Sequence, residues 1–277
     1  MAASGVVAME LGMHKGFMIA NLPNLPNLPN LPDLPHLPNL PTIPPFFHGT
    51  SYKSKNHKAV VPLPQCALPK MNKYGLALHT TTPELGLAIS NFAEDLRSDR
   101  WKLERNVSNL MHQYLMEFIK PQTWADMAFV AVARGPGGFT GTRIGVVAAR
   151  TLGQQLNIPV FPVSTLAAVA WENRDRDDVA IAVQMRAQRG RVFAGIYQVN
   201  RDGSGLTTVM PDTVIVPQVW QEKLDSWNEN YQLVEANSGL AATVTSILQL
   251  AYLDWQQGKY PDWAEALPFY GQHPVNG

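Results

Sequence analysis

The residues best placed to do chemistry lie in one stretch, Arg134-Gly-Pro-Gly-Gly-Phe-Thr-Gly-Thr-Arg-Ile-Gly145. Its glycines remove Cβ atoms, so that backbone can approach backbone and exposed amides gather where a helix starts. Amides in that position can hold an anion, and a nucleotide phosphate is the first anion to consider. The standard fingerprints nevertheless fail. A P-loop needs Gly, four residues and then Gly-Lys-Ser/Thr, and no lysine occurs between Lys120 and Lys223. A dinucleotide turn would put glycine at 135, 137 and 140, and position 140 is threonine.

Other chemistries have less to work with. After residue 70 the histidines are His79, His112 and His273, and no two stand at the i, i+4 spacing that sets a pair of metal ligands on one helical face. His112 reads as a residue on the boundary of an amphipathic helix. Cys66 is the one cysteine, which excludes an internal disulfide and a thiolate cluster. A hydrolase needs a nucleophile with a positioned base. Ser90 and Ser164 supply hydroxyls, but neither sits in a nucleophile elbow, and Ser164 reads better as a helix cap. Arg174, Arg176, Arg186, Arg189 and Arg191 offer a phosphate or RNA contact, while Asp175, Asp177 and Asp178 offer to neutralise them as a solvated surface.

The elements that must position the glycine turn can be read around it. Tyr74–His79 and Leu85–Ile89 are short apolar runs on either side of Thr80-Thr-Thr-Pro83, which predicts an antiparallel pair. Leu103, Val107, Leu110, Met111, Tyr114, Leu115 and Phe118 recur at spacings of three and four and predict a helix that Pro121 ends. Residues 128–133 predict a buried strand, 140–156 a helix and 159–163 another strand. A second unit opens with a helix capped by Ser164. It continues with strands at 179–185 and 192–199 around the basic turn 186–191, and with a helix over 240–257. Strands before helices, twice over, predict an α/β chain with two related lobes, at residues 71–165 and 166–277.

The first seventy residues are of another kind. From Asn21 to Pro41 they repeat Asn-Leu-Pro, with Asp33 and His36 replacing asparagine. Proline at every third position removes donors and pushes the preceding residue out of the helical region. This segment holds 12 of the 22 prolines and none of the seven tryptophans, so residues 1–70 are expected to be a disordered low-complexity tail. It is expected to be a linker or translated upstream sequence rather than a proline-rich ligand for an aromatic groove, with Met71 the expected start of the folded chain. Of the 22 basic and 22 acidic residues, the tail holds five and two, leaving 17 and 20 for the rest. A protein holding a nucleic acid by itself is expected to carry excess positive charge, so any contact with RNA is expected through a partner. No run approaches the roughly 18 apolar residues of a membrane span, and a cytoplasmic location is expected.

The glycine turn resembles the Gly-Pro-Gly-Ser-Phe-Thr-Gly-x-Arg-x-Gly signature of the TsaB (YeaZ) family, with Gly138 in place of serine. The residues that carry the resemblance are Gly135, Pro136, Gly137, Gly138, Phe139, Thr140, Gly141, Arg143 and Gly145. It extends to Leu152-Gly153, to Val163-Ser-Thr-Leu166 and to the Thr80–Pro83 turn. More weakly, it also covers the strand around Arg191–Tyr197 and Pro268-Phe-Tyr270. The resemblance implies an actin-like ASKHA (ribonuclease H-like) fold of two lobes, and a dimerisation subunit without its own chemistry in tRNA threonylcarbamoyladenosine formation. The implied partners are a TsaD-like catalytic subunit, a TsaE-like ATPase and, when alone, a second copy. ATP and metal belong to the partner subunits, with no cofactor here. Active ASKHA enzymes place acids at the ends of the first strand of each lobe to organise magnesium and phosphates; here those ends carry His79 and Arg186. An ATP-using enzyme of this fold, such as a small kinase, and a glycoprotease-like hydrolase stand as the alternatives.

The family pairs through helices, so Val107, Leu110, Met111 and Tyr114, with Ile144, Val147 and Ala148, are expected to supply the contact. The competing expectation is that most of them are core.

Overall fold

The computed structural model describes residues 73–174 and 179–271, all within the compact unit Gln65–Gly277. The tail expected over residues 1–70 lies outside the described residues, as do Asp175, Arg176, Asp177, Asp178 and His273.

Two mixed sheets organise the chain. The first holds β1 (Tyr74–His79), β2 (Glu84–Ser90), β3 (Leu96–Lys102), β4 (Met127–Ala133) and β5 (Val160–Val163) in the order β3-β2-β1-β4-β5. The second holds β6 (Ala180–Arg186), β7 (Val192–Val199), β8 (Leu206–Ile215) and β9 (Tyr231–Glu235) in the order β8-β7-β6-β9. In each, the first strand pairs antiparallel with the second and parallel with the fourth. The second sheet thus repeats the first without a fifth strand, the duplicated architecture of the actin-like ASKHA fold.

Alternation along β1, β2 and β4 divides the core of the first sheet. Leu76, Leu78, Leu85, Leu87, Val130 and Val132 face α1 (Val107–Phe118) and α2 (Phe139–Leu156), which present Val107, Met111, Leu115, Val146 and Ala149. Ala77, Ala88, Phe129 and Ala131 face the opposite way, toward Val244, Ile247, Leu248 and Ala251 of α5 (Val244–Gln256). The small residues on this face let the turn that leads into α5 approach closely: a Cβ on Gly86 would stand 2.5 Å from the Ala241 carbonyl oxygen. α3 (Thr165–Glu172) covers the second sheet through Leu166, Val169 and Ala170. On that sheet's other face Trp220 and Leu224 of α4 (Pro217–Asp225) meet Ala182, Ala194 and Ile196. A helix from the C-terminal half therefore completes the core of the N-terminal sheet.

The expected strands and helices occur, and the structure adds β3, β8, α4 and β9. Each added strand lies at a sheet edge. β3 (Leu-Arg-Ser-Asp-Arg-Trp-Lys) is polar on both faces and so carries no period-two signal. β8 contains Pro211, which an edge strand tolerates and a central strand does not.

Candidate functional site

Where β4 ends, Arg134 donates its amide to Val163 O (2.9 Å) and accepts from Phe269 N (2.7 Å), which ties the turn to β5 and to the C-terminal segment. Gly135 has φ +100°, and a Cβ there would sit 2.4 Å from the Phe269 carbonyl oxygen. The next glycines face the Thr80–Pro83 turn. A Cβ on Gly137 would meet Thr81 O at 2.5 Å, on Gly141 Thr80 O at 2.0 Å, and on Gly145 Thr80 Oγ1 at 2.2 Å. Thr80 Oγ1 donates to Gly141 O (2.8 Å), and Gly138 N donates to Thr81 O (2.7 Å). The start of α2 is thus docked on the first hairpin, with the amide of Gly138 given to a protein carbonyl rather than held out for a ligand.

Gly138 differs from its neighbours. Its φ of −62° and ψ of 124° suit any residue, and a Cβ would lie 3.3 Å from Thr81 O. This is also the one position where the turn departs from the family signature. Pro136 is buried within the turn and Thr140 is exposed at the first turn of α2. Phe139 is 39% exposed. Its ring lies 4.5 Å from that of Tyr270, with the Arg143 guanidinium 5.6 Å from its centroid.

The turn forms one wall of a cleft of about 1120 Å³ between the two sheets. Thr80–Pro83, Phe139, Thr140 and Gly141 line one side, and Arg186, Ala187, Gln188 and Arg189 the other. Among the described lining residues the charged groups are Arg105, Arg186, Arg189 and Glu104, a local excess of positive charge. His79 at the end of β1 lies beneath the turn, fully buried. Its Nε2 is 3.4 Å from Thr81 Oγ1, and burial lowers its pKa to about 3, so the ring is neutral. The equivalent end of β6 carries the exposed Arg186. Among the described residues no group of three or more His, Cys, Asp or Glu is arranged to hold a metal ion, and no helix is long and apolar enough to cross a membrane.

A second concavity, about 570 Å³, runs between α1 and α2. Its walls are apolar: Met111, Leu115 and Met116 from α1, with Trp124, and Ile144, Val147, Ala148 and Leu152 from α2. The residues expected to make a helical contact divide three ways. Ile144, Val147 and Ala148 lie in this groove, and Val147 is 60% exposed. Leu110 and Tyr114 are half-buried, and Tyr114 packs on Trp101 of β3 with ring centroids 4.8 Å apart. Val107 and Met111 are core, a correction to the expected contact set. The i, i+4 stripe 107-111-115 points at the sheet, and Met111 shows the groove no more than an edge. The reading from spacing missed Met116, 62% exposed. Its signal was an apolar residue beyond the core stripe, one turn after the polar His112.

The family model described as "TsaD: tRNA N6-adenosine threonylcarbamoyltransferase" matches residues 104–250. The tRNA threonylcarbamoyladenosine biosynthesis protein TsaB of Bacillus subtilis (strain 168) is 34% identical over 154 residues. That match covers 54% of this chain and 65% of the relative, so the chain spans just under two thirds of its length. Two solved structures share the fold. A Pseudomonas aeruginosa protein described as similar to peptidase YEAZ has a TM-score of 0.59 at 20% identity, over 72% of this chain and 100% of its own. YeaZ from Pseudomonas aeruginosa has a TM-score of 0.57 at 22% identity, over 72% and 99%. The glycine turn, the duplicated sheet order and these matches together place the chain in the TsaD-type family and, within it, in the TsaB (YeaZ) group.

Proposed function

We propose that this chain is the dimerisation subunit, without catalytic chemistry of its own, of the machinery that forms threonylcarbamoyladenosine at position 37 of tRNAs reading codons that begin with adenine. The observation that carries the reading is the apolar groove between α1 and α2, rimmed by Met116 and Val147, 62% and 60% exposed. An exposed apolar surface of this kind marks a site covered by another protein. Its occupant is a TsaD-like catalytic subunit, or a second copy of this chain when that subunit is missing. A TsaE-like ATPase joins the same assembly, tRNA is engaged through the complex, and ATP and metal are held by the partners. The reaction takes place in the cytoplasm.

The dismantled state of the cleft supports the same reading. A kinase or ATPase of this fold needs acids at the strand ends and free amides at the helix start. Here the ends carry a neutral buried His79 and Arg186, and the Gly138 amide is bonded to Thr81. Neither arrangement favours the ATP-using alternative, and Ser164 Oγ is engaged as the cap of α3, which does not favour the hydrolase.

The test is the mass of the full chain by size exclusion with light scattering, alone and with the TsaD homologue of the same organism. A one-to-one complex is expected, with tRNA threonylcarbamoylation that requires both chains. Val147→Asp with Met116→Asp should weaken association by at least about a hundredfold, because each places a charge in a desolvated contact. Unchanged association in a folded double variant would remove the groove from the interface. No association of the parent chain under any nucleotide condition would sink the scaffold role.

A further inference from the structure

Away from the cleft and the groove, a third concavity of about 240 Å³ opens beside the N-terminus of α3. Its floor is a polar relay. Ser164 Oγ caps α3, accepting from Leu166 N (3.0 Å) and Ala167 N (3.1 Å), and so turns its proton toward the Tyr197 hydroxyl, 3.3 Å away. Tyr197 is 2% exposed and donates in turn to Asp212 Oδ1. The relay ends there. Asp212 Oδ2 is buried and meets no partner among the described residues. Arg134 lines the same pocket, and its buried Nε–H likewise meets none.

Two opposite charges facing one small space, each with a bonding position unused, specify a ligand more closely than either would alone. Burying a charged group without its hydrogen bonds costs several kcal/mol, a cost that a molecule returning both bonds would remove. Burial holds the pKa of Asp212 above the ordinary carboxylate value, with the smaller effects of Ser164, Tyr197 and the charge of Arg134 opposing it. An anion would be held by Arg134 and repelled by Asp212, and a cation the reverse. At the rim Lys259 and Asp254 pair with each other at 2.6 Å and add no net charge. The remaining wall includes the apolar Pro162, Val163, Ala167 and Leu250 beside the polar Asn200, Ser204 and Thr208.

We infer that this pocket binds a small α-amino acid as its zwitterion, the carboxylate on Arg134 and the ammonium group on Asp212 Oδ2. The Ser164–Tyr197 relay holds the Asp212 carboxylate in place through its other oxygen. No bond is made or broken, and the site stands independently of the subunit role proposed above.

The experiment is isothermal titration of the full chain with glycine, L-alanine and L-serine. Acetate, methylammonium and betaine serve as partial ligands, the last carrying both charges but no N–H donor. Binding of the three amino acids is expected, with each partial ligand at least about tenfold weaker, the value of one charge-assisted hydrogen bond. Asp212→Asn and Arg134→Gln should each weaken binding by about tenfold or more. Should either variant unfold on near-ultraviolet circular dichroism, Ala167→Leu fills the pocket and leaves both charges untouched, and it too should abolish binding. Absence of heat for all three amino acids with the folded parent chain would overturn the inference. So would affinity unchanged in the folded variants, or betaine binding as tightly as alanine.

Discussion

The hairpin β1–β2 and the hairpin β6–β7 occupy the same place in their two sheets, yet their turns have opposite surroundings. Thr80 and Thr81 in the first are 0% and 2% exposed, pressed between α2 and the sheet. The second, through Gln188, Arg189 and Gly190, is exposed, and a Cβ on Gly190 would meet nothing within 4 Å. The strands that lead into them end on His79, buried and neutral, and on Arg186, exposed and cationic. One topology has thus been used once as a packing joint and once as the charged lip of a cleft. What differs is the helix that follows the fourth strand: α2 brings glycines onto the first turn, and no glycine row closes on the second.

The joint should therefore break far more readily than the lip. Gly141→Ala drives a methyl group to 2.0 Å from a backbone oxygen that cannot rotate away, and the loss expected is at least about 3 kcal/mol of stability. Gly190→Ala meets only the strain of its φ of +65°, about 1–2 kcal/mol. Urea midpoints of the two variants measure the contrast directly. Equal losses would mean that the first turn yields to α2 and is not the rigid element described above.

Protonation separates the two strand ends next. The folded-state pKa of His79 is lowered from 6.5 to about 3 by burial, so between those values the unfolded chain binds the extra proton and the folded chain does not. Stability is then complete above about pH 6.5 and falls by about 1.4 kcal/mol for each pH unit below it, until the folded group titrates near pH 3. His79→Gln removes this contribution, and urea unfolding from pH 7 to pH 4 should show a shallower loss in the variant. Arg186→Gln, at the exposed end of β6, should show no such difference. Parallel curves for the parent chain and His79→Gln would place the histidine in contact with water.

Much of this contrast was legible in the chain, and the illegible part has a physical cause. Central strands such as Met127–Ala133 announce themselves because both faces are buried, and Ser164 announced a helix start because its hydroxyl caps Leu166 and Ala167. The edge strands β3, β8 and β9 did not, since their residues answer to solvent rather than to a periodic core. The glycine turn was legible as a motif, but not its use. Spacing alone cannot say whether an amide faces a phosphate or the Thr81 carbonyl, because the partner is more than fifty residues away in the chain. For the same reason Val107 and Met111 were indistinguishable from contact residues until the sheet beneath α1 was in view. The Arg134–Asp212 pocket could not be read at all, its members being brought together only by the crossing of β4, α3, β7 and β8.

The finest test of the joint uses two adjacent glycines that are equivalent by composition. Gly137 and Gly138 both face Thr81, but the added Cβ would stand at 2.5 Å in one and 3.3 Å in the other. At position 138 a serine has an acceptable backbone and the N-cap place of α2. Its hydroxyl can accept from the first turn, worth a few tenths of a kcal/mol over glycine, and this gain offsets the tight approach to Thr81. Gly138→Ser is expected to change stability by no more than about 0.5 kcal/mol, whereas Gly137→Ser should cost several times that. If thermal melts put the larger loss at 138, the hydrogen bond from Gly138 N to Thr81 O would be the feature the turn protects, and the close packing of Gly137 would be secondary.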